Sequence, residues 1–371
     1  MGNDFLWVND VETLRQLTAV LRPEDPLALD TEADSLHHYK ESVSLVQIAQ
    51  AGHHFLVDPL ANLDLSPLWQ KMAGSTWILQ GADFDLRMMR RIGAQEPGAV
   101  FDTMLGAQIL GFSAFGYAAL VEHFYGTKLS KKNQKADWSQ RPLSHSMLDY
   151  AVQDTRYLEG ILHEMTQLLH FAGRLEWHEQ SCARVVRTSL ISREEEPENV
   201  WRLSGSNRLT PVGLAILKSI WQWRELEADK ADLPVFKVMN NDTLLDLAEF
   251  AAESIKMPPP AFPHWPHRMS HGRAEKLIAA VEAGRTAEPI AKLPSKPRLR
   301  HDAKADARME KLRKGRDEIA EKLKLDPSLI ASKSTLLEIA RDPENGAAKL
   351  VAEDRWCQWQ VDLIDPLVKA L

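Results

Sequence analysis

Three short stretches carry acids at spacings that suit chemistry. In PLALDTEA at 26–33, Asp30 and Glu32 stand two apart in a run that reads as a buried strand, so both carboxylates leave one face. In MLDYAVQDTRYL at 147–158, Tyr150 and Asp154 are four apart, which on a helix sets both on one side, a turn apart. WILQGADFDLRMM at 77–89 reads as a strand, a turn at Gly81 and a helix opening with Asp83 and Asp85. Carboxylates gathered at one sheet end do not all stay ionised unless cations lie between them. An all-oxygen ligand set suits Mg2+ or Mn2+ rather than zinc. Two such ions about 3.5–4 Å apart are the usual apparatus for in-line displacement at phosphorus.

The elements that must position these acids follow from apolar spacing. Residues 11–21 have helical spacing of Val11, Leu14, Leu17 and Leu21, capped by Asn9 or Asp10. The strand-like segments 43–50 and 53–59 are joined too tightly for a parallel crossover, so they pair antiparallel. Ser66-Pro67 starts a helix, and the strand at 77 that follows lies parallel to the one carrying Asp30. A single helix is expected over 103–124, with Asp102 as its cap, then a basic loop over 127–143. These elements make an α/β domain with a mixed sheet, residues 1–192.

LDTEAD, SLVQIA, GADFDLRMMRR, FDTMLGAQILG, DWSQRPL and LDYAVQDTRYL, in this order over residues 5–170, resemble the ribonuclease D family. These are 3′–5′ exonucleases of the DEDD superfamily, tyrosine subclass. The resemblance implies a ribonuclease H-like fold for the sheet domain. Its motif spacing picks Asp85 as the ligand and leaves Asp83 as a helix cap. By that resemblance Asp30, Glu32, Asp85 and Asp154 hold two divalent ions, Mg2+ or Mn2+, and Tyr150 orients the attacking water. Where Gln80 stands the family often has histidine, a departure that leaves the ligands themselves intact.

After a charged stretch at 193–199, taken as a linker, the texture turns helical and repeats itself. At an ungapped offset of 92, Arg224, Ala228, Lys230, Leu233, Thr243, Leu244, Leu245 and Ala248 meet identical residues from Arg316 to Ala340. Two copies of one all-α bundle, 200–290 and 298–371, are the economical reading. Each resembles an HRDC domain, the second more degenerately. A Pro-rich stretch at 257–267 interrupts the first, and Trp201, Trp221 and Trp223 are expected in its core.

In the basic loop, lysines and Arg141 surround Trp138, a pattern that suits phosphate contact and base stacking. Lys132, Trp138 and Arg141 are the candidate substrate contacts, the last two also readable as structural parts of the DW-RPL motif. Residues 296–324 hold eleven Lys or Arg against six Asp or Glu, a further basic surface. The net charge of −7 leaves a nucleic-acid partner open, since the placement of basic residues decides that. Cys182 and Cys357 are too far apart in sequence for a CxxC, which argues against a zinc site and fits a reducing compartment. With neither a signal-peptide core nor an apolar run near ~18 residues, a soluble cytoplasmic protein is expected.

The expected function is a 3′–5′ exoribonuclease that releases 5′-mononucleotides, with single-stranded 3′ ends and tRNA precursors or other structured RNA as substrates. The rivals are the same site acting on DNA ends, since nothing in the sequence reads a 2′-hydroxyl, and an inactive nucleic-acid-binding scaffold, which the complete acid set opposes. A helicase is excluded by the lack of a GxxxxGK[ST] loop.

Overall fold

The computed structural model describes residues 4–190, 199–254, 257–266, 269–293 and 302–371. The linker expected at 193–199 falls almost wholly outside these residues, as does the start of the basic stretch at 296–324.

A mixed six-stranded sheet organises the first part of the chain. Its strands are β1 (Leu6–Val8), β2 (Leu27–Ala33), β3 (Val43–Gln50), β4 (His53–Val57), β5 (Thr76–Leu79) and β6 (Ala99–Asp102). They lie in the order β1-β4-β3-β2-β5-β6. The Ala51-Gly52 turn joins β3 to β4 antiparallel, as its shortness requires, and β2 runs parallel to β5. The central strand β2 therefore carries Asp30 and Glu32, with β3 on one side and β5 on the other. Both edges are short, three and four residues, and neither reads as a strand from its sequence alone.

Helices cover the sheet: α1 (Val11–Val20), α2 (Ser66–Met72), α3 (Asp83–Arg91), α4 (Thr103–Leu110), α5 (Tyr117–Tyr125), α6 (His145–Arg156), α7 (Leu158–Phe171) and α8 (Leu175–Leu190). Asp10 caps α1 in a reciprocal pair with Thr13. The single helix expected over 103–124 is two. Gly111 turns into the left-handed region at φ 83° and ends α4, and α5 begins only after Gly116. One core, centred on Leu27, Leu29, Ile48 and Trp77, fills one side of the sheet. Another, with Ile78, Ile109, Leu158 and Met165, seats α4, α5 and α7.

The repeat is visible element by element. α9 (Pro211–Ala231), α10 (Val235–Val238) and α11 (Asn241–Glu253) correspond to α13 (Ala303–Leu323), α14 (Pro327–Ile330) and α15 (Lys333–Arg341). Both long helices have 21 residues and end on a non-glycine residue in the left-handed region, Asp232 and Lys324. Arg224 donates to Met239 O and Arg316 to Ala331 O, partners again 92 apart. α12 (His271–Thr286) closes the first copy; α16 (Gly346–Ala352) and α17 (Gln358–Lys369) close the second. Trp201 and Trp223 are buried and Trp221 packs against the same core, as their sequence context suggests.

Packing divides the described chain into two compact units. In one, residues 34–42 join the first copy: Tyr39 donates its backbone N–H to Asp232 and its hydroxyl to Glu225. In the other, the second copy packs on the sheet domain through α8. Trp359 stacks on Trp177, ring centroids 4.8 Å apart, and donates its indole N–H to Ser181 Oγ at 3.1 Å. Arg174 reaches across to Leu323 O at 2.9 Å. No helix among the described residues is long and apolar enough to cross a membrane.

Candidate active site

Strand alternation sends Asp30 and Glu32 from the central strand to one face and Thr31 to the other. Asp154 arrives from α6, which buries Met147, Ala151, Val152 and Thr155, the first two on the same side as Asp154. Carboxylate oxygens of Asp30, Glu32 and Asp154 lie within 4.8 Å of one another. Asp85, buried at the start of α3, stands outside that group of three; its Oδ1 accepts the Thr31 hydroxyl at 2.6 Å. The sheet end thus brings three of the expected ligands together and sets the fourth beside them.

Each of the four carboxyls is held above its ordinary range. Burial is the largest cause throughout. For Asp30, the charges of Asp85, Asp154 and Glu32 add to it, and its proton is held well above the usual carboxylate value. Glu32 is pushed up to about 9 by burial, then by Asp154 and Asp85. Asp85 rises to about 7 by burial, against the pull of the Thr31 hydrogen bonds. Asp154 rises to about 7 by burial, with the Tyr150 hydroxyl drawing it back. Asp154 Oδ2 is buried and has no hydrogen-bond partner. An orphaned carboxylate oxygen amid mutually repelling acids is what a divalent cation relieves, and all donors are hard oxygens. The residues fit such an ion.

Tyr150 is half-buried beside Asp154, its ring 6.0 Å from Trp138. Burial and then the charges of Asp154, Glu32 and Asp30 raise its phenol well above the usual value, so it stays protonated and donates.

Two residues of the site escaped the sequence reading. Asp102 does cap α4, accepting from Met104 and Leu105 N–H, but it also accepts Gly81 N–H at 3.0 Å and Ala82 N–H at 2.9 Å. One buried carboxylate therefore ties α4 to the turn that launches Asp85. Asp83 is not the cap of α3; Ala82 holds that position, and Asp83 makes a two-pronged pair with Arg87 one turn on. Tyr117 is the second. Its hydroxyl donates to Gln153 O at 2.7 Å, accepts from Tyr157 N–H, and feels the charges of Asp154 and Asp30. Gln80 accepts the Thr103 hydroxyl and donates to Phe115 O at 2.9 Å. Its family resemblance flagged the position; only the fold shows it holding the loop before α5.

The expected substrate contacts part company. Lys132 is exposed. Trp138 is only 1% exposed, packed with Leu45, Leu56, Leu143 and Met147, so no ring face is open to a base. The guanidinium of Arg141 pairs with both oxygens of buried Asp58 and donates further to the carbonyls of Trp138, Gln140 and Ser44. Both belong to the framework under α6, and their reading as substrate contacts is corrected on that ground. On α13, Arg313 is paired with Glu310 and Asp317 and Arg316 with Asp317, while Lys304, Lys311 and Lys314 are exposed.

Residues 5–170 match a family model described as a 3′-5′ exonuclease, and residues 213–256 one described as an HRDC domain. Among curated proteins, the chain is 33% identical over 247 residues to a ribonuclease D from Sphingobium indicum, covering 65% of this chain and 63% of that one. The match thus spans less than two thirds of that relative's length. A ribonuclease D from Granulibacter bethesdensis is 28% identical over 367 residues, 97% of this chain and 87% of its own. Among solved structures, Escherichia coli RNase D superposes with a TM-score of 0.72 at 23% identity, covering all of this chain and 98% of that one. A Bifidobacterium adolescentis protein gives 0.79 at 22% identity, covering 98% and 95%.

Proposed function

We propose that the chain is a member of the ribonuclease D family, to which its relatives and its 3′-5′ exonuclease match point, and that it is a metal-dependent 3′–5′ exoribonuclease releasing 5′-mononucleotides, with structured RNA such as tRNA precursors as its substrates. The observation that carries this is the convergence of Asp30, Glu32 and Asp154 within 4.8 Å, with Asp85 alongside. Divalent cations bound there, Mg2+ or Mn2+, supply charge neutralisation at the scissile phosphate and acidify the attacking water. Asp30, Glu32 and Asp154 would hold such ions through their converging oxygens, with Asp85 alongside completing the ligand set. Tyr150, protonated at neutral pH, orients the water through its hydroxyl rather than taking its proton. Thr31 and Asp102 keep Asp85 aimed at the sheet end. The HRDC-like copies grip RNA beyond the scissile end, and the segments 1–192, 200–290 and 298–371 are the units that divide these tasks. A cytoplasmic location fits such a task.

The test uses 5′-labelled RNA and DNA oligomers of one sequence with Mg2+, with Mn2+ and with chelator. A metal-dependent ladder shortening the RNA from its 3′ end, with nucleoside 5′-monophosphates released, is expected. Loss of RNA from the 5′ end, or equal turnover in chelator, overturns the reading.

A further inference from the structure

A cavity of about 540 Å3 lies where the α4–α5 connection faces the start of α14. Its walls are Gln108, Phe112 and Phe115 on one side and Asp326, Ser328 and Leu329 on the other. None of them belongs to the acid cluster or to its hydrogen-bonded tyrosine. That volume lies within the range of small-molecule sites, about 300–1,000 Å3.

Two observations tie the cavity to the carboxylates. Gln80 follows directly on β5, the strand paired parallel to β2, and its side chain holds the carbonyl of Phe115. Tyr117, two residues further, lies in the electrostatic reach of Asp154 and Asp30. From Thr103, which meets Gln80, to Gln108 is five residues of α4, about 8 Å of rise. The cavity therefore opens within reach of the first few nucleotides of a strand whose end lies among the acids.

Its lining states what it accepts. No lysine or arginine lines it, and Asp326 is held below its usual value by the Ser328 side chain first, so it is a carboxylate at neutral pH. Such a wall repels phosphate. Phe115 is 39% exposed, an aromatic face left open. Gln108 is half-buried, and its side-chain amide has no partner among the described residues, offering both a donor and an acceptor. Ser113 adds a hydroxyl, while that of Ser328 already donates to Asp326 and offers only its lone pairs. An aromatic face edged by amide and hydroxyl groups, with one carboxylate opposite and no cation, matches a nucleobase with its ribose rather than a phosphate.

We propose that this cavity is a nucleoside subsite for one residue of the RNA strand upstream of the scissile phosphate, its base lying on Phe115. The second helical copy then contributes directly to substrate binding through Asp326–Leu329. The inference rests on the exoribonuclease reading above.

The experiment measures KM and kcat for full-length protein on RNA oligomers carrying one abasic residue at successive positions from the 3′ end. Wild type should show a KM raised about tenfold at one upstream position, the usual worth of a stacked base. In Phe115→Ala that penalty should shrink below about twofold, and Phe115→Tyr should restore it. Phe115 is exposed, so neither change opens the core. Equal abasic penalties in wild type and Phe115→Ala overturn the subsite while leaving the nuclease reading standing. Absence of any RNA hydrolysis by wild type overturns both.

Discussion

At the scale of single residues, the four acids proposed as the ligand set are also a source of strain in the metal-free protein. Their folded values lie above the ordinary range near ~4, with Asp85 and Asp154 about 7 and Glu32 about 9. Groups shifted this way bind more protons folded than unfolded. Their stabilising contribution is therefore full below about pH 4 and lost as the pH climbs through 7 to 9. Melting in chelator should fall in temperature between pH 5 and 9, and Mg2+ should raise it more at pH 8 than at pH 6. Asp154→Asn should flatten that slope and melt no lower than wild type in chelator, yet lose more activity than the roughly 10–100-fold cost of losing a residue that only orients a ligand. A variant that keeps its turnover means that Asp154 holds no ion. Tyr150→Phe is expected to keep RNA binding and slow single turnover by about 10²- to 10³-fold, the worth of a positioned proton partner. An unchanged rate leaves the tyrosine as packing against Trp138.

At the scale of elements, what matters is how far a residue's partners lie along the chain. Asp30 with Glu32, and Tyr150 with Asp154, were legible because strand and helix periods alone set their directions. The second task of Asp102 was not, because Gly81 and Ala82 lie about twenty residues upstream and offer only backbone. The break between α4 and α5 was signalled by Gly111, but the apolar run on either side reads as one helix. Trp138 misled for a related reason: an aromatic among lysines resembles a stacking platform until Leu45 and Leu56 close over it. Asp102→Asn tests the element-level reading. Its Oδ1 can keep three donors, but the new NH2 would face Ala82 N–H, leaving a buried donor unmatched at a cost of about 1–3 kcal/mol. Lower stability together with a raised Mg2+ requirement is the expected result. Lower stability with normal metal dependence makes Asp102 a cap and nothing more.

For the molecule as a whole, the second copy is part of the sheet domain's packing. Trp177 and Trp359 stack, and a Cβ at Gly111 would collide with the carbonyl of Lys324. A chain ending at residue 192 should therefore lose about 3–5 kcal/mol, the scale of a stripped large aromatic, and expose a sticky face along α8. Urea titration of the truncated and full chains checks this; equal midpoints would show the sheet domain self-sufficient. The sequence announced the two copies through their offset, but not that one of them is fastened here, because Trp359 and Ser181 are 178 residues apart.

The duplicated arginine gives this protein a matched pair of its own. Arg224 and Arg316 sit at corresponding points of two long helices and donate to corresponding carbonyls, yet the first side chain is 3% exposed and the second 11%. Replacing each in turn by methionine repeats one perturbation in two settings under one buffer, one temperature and one preparation. The first should cost on the order of 3 kcal/mol and the second less, because an orphaned carbonyl nearer to water finds a substitute partner. Hydrogen exchange in α11 and α15, followed separately, reads the two outcomes side by side. Equal losses would mean that solvent access at this corner does not govern what the guanidinium contributes.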